Sequence, residues 1–442
     1  MTDTAIAPQS ITNRRVLNIA LPIVLSNVTI PILGAVDTGV VGQMGEAAPI
    51  GAVGLGAIVL SALYWVFGFL RMGTTGLAAQ ALGQGDRAEV AALLTRALMI
   101  GFIAGSLIII LQSPLIWASF YLAPASDEVE TLASGYMAIR IWSAPAAIAI
   151  IGITGWLIAQ ERTRAVLVLQ FWMNGVNVAL NFLFVLGFDW GVNGVAFATF
   201  LAEWSGLAMG LYLCRAAFKV PDWRNWARVF ERAKLVRMAQ VNSDILIRSL
   251  LLEAIFLSFI FLAADFGDVT LAANQVLLQF LYITAYALDG FAFAAETLVG
   301  QAAGAKARAT LRRAALVVSR LALASAFLLG LGFWLFGAPL VDLMAKNTDV
   351  QSAARTYLAW MALAPVLAVG SFLLDGIFVG ATRTADMRNM MVLSAAIYAT
   401  AALVLVPTYG NHGLWAALLI SFVARGLTLG ARYPALERAV ED

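Results

Sequence analysis

Apolar residues along this chain come in long blocks, without the spacing of a surface helix or the alternation of a half-buried strand. Blocks of about 20 residues or more recur from end to end, each long enough to cross roughly 30 Å of hydrocarbon as a helix. Twelve are recognised, near 15–42, 49–79, 93–120, 129–159, 164–187, 192–214, 238–264, 270–302, 314–338, 350–380, 388–407 and 411–430. They contain Pro, Gly, Ser and Asn and lack the alternating pattern of a membrane barrel. They therefore predict an all-α polytopic membrane protein of twelve transmembrane helices. The first block is too long for a signal-peptide core and lacks a cleavage pattern, so it is expected to persist as a helix.

Composition supports a membrane protein. Of 442 residues, 61% are hydrophobic and 12% charged, and the mean hydropathy is +0.85, far from the balance of a soluble domain. One cysteine, Cys214, rules out an internal disulfide, and one histidine, His412, rules out a histidine metal cluster and is expected in a loop. The "GQGD" stretch (83–86) lacks the Lys-Ser/Thr ending of a phosphate loop.

The net charge of +2 matters less than its distribution. Bases fall in alternate connections: Arg14 and Arg15, Arg87 and Arg96, Arg162 and Arg164, Lys306 with Arg308, Arg312 and Arg313, then Arg383 and Arg388. The intervening loops carry Glu46, Asp127, Glu128, Asp189, Asp265 and Asp268. By the positive-inside rule both termini are expected on the cytoplasmic face of an inner membrane, which requires an even number of spans. The basic linker 215–237 separates an N-terminal six-helix lobe (1–214) from a C-terminal one (238–442). Its Trp223, Trp226 and Phe230 predict a segment lying on anionic membrane lipid rather than a nucleic-acid site. Trp117, Trp190 and Trp415, near span ends, read as an interfacial belt.

The chain also repeats itself. "AAQALGQGDRA" (78–88) parallels "VGQAAGAKARA" (299–309), matching Gln80, Gly83, Arg87 and Ala88 to Gln301, Gly304, Arg308 and Ala309. "SAPAA" (143–147) and "LAPVL" (363–367), then "GVNGVAFA" (191–198) and "GNHGLWAA" (410–417), recur at nearly the same offset. Two six-helix halves beginning and ending on one side are parallel repeats. That architecture predicts a cavity between halves and alternating access.

"NIALPIVLSNVTIPILGAVDTGVVGQMG" (18–45), "FGFLRMGTTGLAAQALGQGD" (67–86), "RIWSAPA" (140–146) and "GVNGVAFATFLAEW" (191–204) resemble the multidrug and toxic compound extrusion (MATE) family, in its DinF-like branch. "LDGFAFAAETLVGQAAGAK" (288–306) and "LLDGIFVGATRTADM" (373–387) extend the resemblance into the second half. It implies two V-shaped six-helix lobes around a central cavity, exporting small molecules in exchange for protons or sodium ions.

A charge at the centre of a membrane helix costs about 2.5 to 3.5 kcal/mol on insertion scales, so each is a functional candidate. The first half holds Asp37, Arg71, Arg140 and Glu203; the second holds Arg248, Glu253, Asp289, Glu296 and Asp375. Asp37 has no base within a turn of its own helix, and burial without a partner favours a carboxyl that exists in both protonation states. Pairing with Arg71 or Arg140 is the alternative. Pro22, Pro31, Gly34 and Gly39 offer points where that helix can bend. Asn174, Asn177 and Asn181 share one helical face, and Thr199 lies on the next span.

The resemblance implies that Asp37 is the proton-binding aspartate. It matches Asn177 and Thr199 to polar family positions, whereas Asn181 stands where the family often has an aspartate. It also matches Glu253 and Asp375 to a cation site of sodium-coupled relatives, whose oxygen ligands suit a hard ion. A structural network of Arg248 with one or more of Glu253, Asp375, Asp289 and Glu296 is the other reading of that cluster.

The expected function is proton-coupled multidrug efflux of organic cations or amphipathic compounds. No cofactor beyond the coupling ion, no enzymatic activity and a monomeric state are expected. Sodium coupling, organic-anion export and flipping of lipid-linked oligosaccharides are the alternatives, and Arg71 and Arg248 keep the anion reading open.

Overall fold

The structure, a computed structural model, describes residues 10–43, 47–122 and 124–440. Every one of the twelve blocks is helical. The chain runs α1 (Asn13–Gly42), α2 (Ala47–Trp65), α3 (Gly68–Gly83), α4 (Arg87–Ile110), α5 (Gln112–Leu122), α6 (Asp127–Arg140), α7 (Ala144–Ala159), α8 (Thr163–Asn181) and α9 (Gly191–Leu213). After the short α10 (Trp226–Val229) come α11 (Arg232–Ala264), α12 (Asp268–Gly304), α13 (Arg308–Met344), α14 (Thr348–Gly380), α15 (Thr384–Tyr409) and α16 (Asn411–Arg438). Among the described residues eleven spans are long and apolar enough to cross a membrane, and the 30-residue α1 covers the first block. The second block is broken at residues 66–67 into α2 and α3, and the fourth by a 3-10 turn, Ile141–Ser143, ahead of Pro145.

The chain forms two compact units. One comprises residues 1–24, 79–85 and 236–442, the other residues 25–78 and 86–235. In the second, α4 and α7 meet through small residues: a β-carbon on Gly101 would lie 2.7 Å from the Ala149 Cα, and one on Gly105 2.3 Å from the Pro145 Cα. Membrane helices lack an aqueous hydrophobic drive to associate, so such backbone proximity carries the packing. In the first unit, α14 lies on α12 in the same manner, with Gly376 and Gly380 facing the carbonyls of Ala292 and Glu296.

Four helix ends share one turn. Two residues beyond the ends of α3, α7, α12 and α14, the backbone turns left-handed at Gly85, Glu161, Lys306 and Thr382. After α7, α12 and α14 the next amide closes back onto the helix: Arg162 N–H to the Leu157 carbonyl, Ala307 to Ala302 and Arg383 to Phe378. This is the Schellman closure, which satisfies carbonyls orphaned at a helix end. Its recurrence carries the sequence repeat into the backbone.

Two expectations are corrected. Trp415 is fully buried, with its indole N–H donating to Asn274 Oδ1 at 2.9 Å and its ring edge-on to Phe259, so it is a core residue rather than part of an interfacial belt. His412 lies in the first turn of α16, where Nδ1 accepts from Trp360 Nε1 at 3.1 Å. The bases of the linker are not all free for lipid. Arg228 lies 3.1 Å from both Asp86 carboxylate oxygens, Lys234 lies 2.6 Å from Glu89, and Arg96 donates to the Val229 and Arg228 carbonyls. Trp226 and Phe230 stack and remain about half exposed.

Candidate functional site

Asp37 lies on α1, and its carboxylate accepts a 2.6 Å hydrogen bond from Asn181 Nδ2. The same amide donates to Asn177 Oδ1 at 2.9 Å, and Asn177 Nδ2 donates to Thr199 Oγ1 at 2.8 Å. The Thr199 hydroxyl donates to the Val195 carbonyl one turn back on α9. Helical spacing accounts for the chain, because residues 177 and 181 stand one turn apart on α8 and present both amides to one side. Both are buried, and the Oδ1 atom of Asn181 is buried without a hydrogen-bond partner. Directly beyond Asn181 the helix widens into a π-helical turn, Phe182–Gly187, a deformation that often marks functional positions.

Beside this chain lies a second polar cluster. Arg140, at the end of α6, pairs with Glu203 of α9 at 3.1 Å and also lies within electrostatic reach of Asp37. Ser143 Oγ stands against the Glu203 carboxylate and 2.6 Å from the Arg140 carbonyl, which also accepts from the Tyr64 hydroxyl at 3.5 Å. Arg71 is half-buried on α3, where its carbonyl accepts from Thr75 Oγ1 and lies against Gly155. Asn174, the first of the α8 asparagines, accepts from Gln170 and does not join the Asp37 chain.

In the first unit, Asp375 of α14 is gripped by Arg248 of α11 and by Arg425 of α16, whose Nε lies 3.7 Å from Asp375 Oδ2. Glu253 is half-buried on α11 and electrostatically beside Tyr282, and Asp289 is beside Tyr286. Glu296 is buried on α12. Of the acids considered for a network with Arg248, the structure therefore pairs Asp375 with it.

Near the ends of α3 and α12 the duplicated glutamines have opposed partners. Arg237 Nη2 donates to Gln80 Oε1 at 2.7 Å, and Arg15 Nη2 donates to Gln301 Oε1 at 3.2 Å. Gln80 Nε2 in turn donates to the Gly380 carbonyl and to Thr382 Oγ1.

Sequence reasoning missed Arg425, Ser143, Tyr64 and the glutamine clamp. Arg425 was legible as a charge within the last apolar block. Gln80 and Gln301 were legible as repeat markers but carried no charge to draw attention.

A duplicated bundle of twelve spans with ionisable groups inside its helices is the architecture of a secondary transporter. One family model, described as MatE, matches the chain twice, over residues 22–183 and 245–405. The chain is 38% identical to the DNA damage-inducible protein F of Escherichia coli K12 over 415 residues, covering 94% of this chain and 90% of that protein. It is 26% identical to a probable multidrug resistance protein NorM of Neisseria meningitidis, over 93% of this chain and 91% of that one. Its fold matches the Vibrio cholerae MATE transporter VcmN in the bent form, with a TM-score of 0.87, 20% identity and 97% of each chain covered. The chain belongs to the MATE family of multidrug efflux transporters.

Proposed function

We propose that this protein exports amphipathic organic molecules in exchange for protons, with Asp37 as the group that carries the proton. The observation behind this reading is the two-ended partner that Asn181 offers. Its Nδ2 donates to the Asp37 carboxylate, while its Oδ1 is buried and unpartnered, an acceptor suited to a protonated Asp37. One amide can then serve both protonation states, and the exchange of roles rearranges the chain to Asn177 and Thr199.

In the proposed cycle, Asp37 takes a proton from the outer side, its bond to Asn181 rearranges and α1 bends near Gly34 and Gly39. Substrate then leaves, and the six-helix lobes at 1–214 and 238–442 exchange access. The proton departs to the cytoplasm as new substrate binds, with both termini on the cytoplasmic face of the inner membrane. Sodium is disfavoured as the driving ion because Asp375, one of its two candidate ligands, already faces two guanidinium groups.

Transport into everted vesicles tests the reading, with the imposed gradient switched between protons and sodium. Wild type is expected to respond to protons, and Asp37→Asn is expected to lose that response. Undiminished proton-driven transport by Asp37→Asn, or stimulation of wild type by sodium alone, would overturn it.

A further inference from the structure

The Arg248–Asp375–Arg425 cluster places two cations on one anion inside the membrane helices. Arg425 is only 2% exposed and Arg248 is 12% exposed at its side chain. Neither can shed its charge, because a guanidinium stays protonated in proteins. Asp375 balances one of them, and among the described residues neither arginine has an ion pair with any other acid. The cluster therefore carries an uncompensated positive charge where a lone buried charge is costly.

Its hydrogen-bond inventory is also incomplete. The Nε atoms of both arginines and the Oδ1 atom of Asp375 are buried without a hydrogen-bond partner. The rest of Arg425 is fixed: Nη2 donates to Ser371 Oγ at 2.9 Å, Nη1 approaches Met391 Sδ at 3.8 Å, and the rings of Phe372 and Phe422 flank the guanidinium. Arg425 is thus held on several sides, and Arg248 is the more exposed of the two arginines.

We propose that Arg248, backed by Arg425, is an anion subsite for the carboxylate or sulfonate of an amphipathic substrate. Asp375 is then its internal competitor: it holds the guanidinium in place when no substrate is bound and gives way when an oxyanion arrives. A planar guanidinium matches a carboxylate or sulfonate oxygen pair with two parallel donors, which an ammonium could not. Molecules bearing both an aromatic body and an acidic group, zwitterions included, would therefore be taken. This rests on the reading of the protein as an exporter of amphipathic molecules and specifies the charge it recognises.

The test is equilibrium binding to the full chain in lipid nanodiscs, with no gradient, read by fluorescence anisotropy of two dyes on the same ring system: anionic fluorescein and cationic rhodamine 6G. Arg248→Gln leaves Asp375 and Arg425 as a neutral pair, and rhodamine 6G binding reports that the variant is folded. Fluorescein affinity is expected to fall by roughly tenfold or more in Arg248→Gln, the loss of a charge-assisted contact, while rhodamine 6G affinity is kept. Asp375→Asn, read independently, is expected to bind fluorescein more tightly. Equal fluorescein affinity in wild type and Arg248→Gln, equal losses for both dyes, or weaker fluorescein binding by Asp375→Asn would each overturn the proposal. Because no proton gradient enters this measurement, it can fail while proton exchange through Asp37 stands, and the reverse.

Discussion

Gly83 faces the Gln301 carbonyl so closely that a β-carbon on the glycine would lie 2.0 Å from that oxygen, and Gly304 faces the Gln80 carbonyl at the same 2.0 Å. Both obstacles are helix backbone, which cannot swing aside as a side chain can. Gly83→Ala and Gly304→Ala are each expected to force α3 and α12 apart, with the overpacking cost of about 1 to 3 kcal/mol. Lower midpoints of thermal unfolding in detergent for both variants, beside an unaffected Gly54→Ala control whose β-carbon meets nothing within 4 Å, would check this.

Asn181 is the partner of Asp37, and the two ends of its amide have different uses. Asn181→Ala removes a hydrogen bond to a charged group, worth about 1.5 to 3 kcal/mol, and should slow proton-driven efflux far more than Thr199→Val, two bonds further along the chain. Initial efflux rates in the same vesicles compare them. Equal rates for the two variants would show that the order of the chain does not matter.

A carboxylate at position 181 would change what the gradient can do. Exchange of one proton for one monocation moves no net charge and draws only on the pH difference. Asn181→Asp would supply a second titrating group and a second proton, and each net charge crossing 100 mV contributes about 2.3 kcal/mol. Efflux of a cationic dye by Asn181→Asp is expected to respond to a potassium diffusion potential at fixed pH, where wild type does not.

Arg140 and Glu203 are both mostly buried, so removing one partner strands the other. Glu203→Gln is expected to destabilise the protein by about 3 to 5 kcal/mol, with the paired change Arg140→Met/Glu203→Met recovering much of that loss. A double-mutant cycle on thermal midpoints measures the coupling.

At the α3–α4 connection, Asp86 caps α4 and receives Arg228. Burial raises the Asp86 pKa, but the Glu89 amide and Arg228 outweigh it and hold the carboxyl below its usual range. A group depressed in the folded state stabilises above its unfolded pKa of about 3.9, and that stabilisation is lost as pH falls through the lower folded value. The linker is therefore expected to stay docked from neutrality to about pH 4 and to loosen below it. Asp86→Asn should loosen it at neutral pH, read as faster tryptic cleavage after Arg228 and Lys234.

How much of this was written legibly in the chain depends on the length scale of the signal. Span number comes from blocks of about twenty residues, all of them helical though the second and fourth are broken, whereas the repeat comes from short matched stretches such as 78–88 and 299–309. Asp37, Asn177 and Asn181 were legible because a polar side chain inside hydrocarbon requires a reason, and Asn177 and Asn181 join one hydrogen-bonded chain with Asp37. The partner of Arg140 was not, and that of Arg248 was legible only as one of several acids, since ion pairs between helices distant in sequence leave no spacing to read. Trp415 misled because its position near a span end resembles that of an interfacial residue, and only the distant Asn274 and Phe259 bury it.

The opposed pair formed by Gly83 with Gln301 and Gly304 with Gln80 has one further property. Each residue makes toward the other repeat the contact that its counterpart returns, which is the isologous relation of two identical subunits across a twofold axis. Drift at one glycine is therefore felt twice, by its own helix and by the matching position of the other repeat, which no longer finds its counterpart.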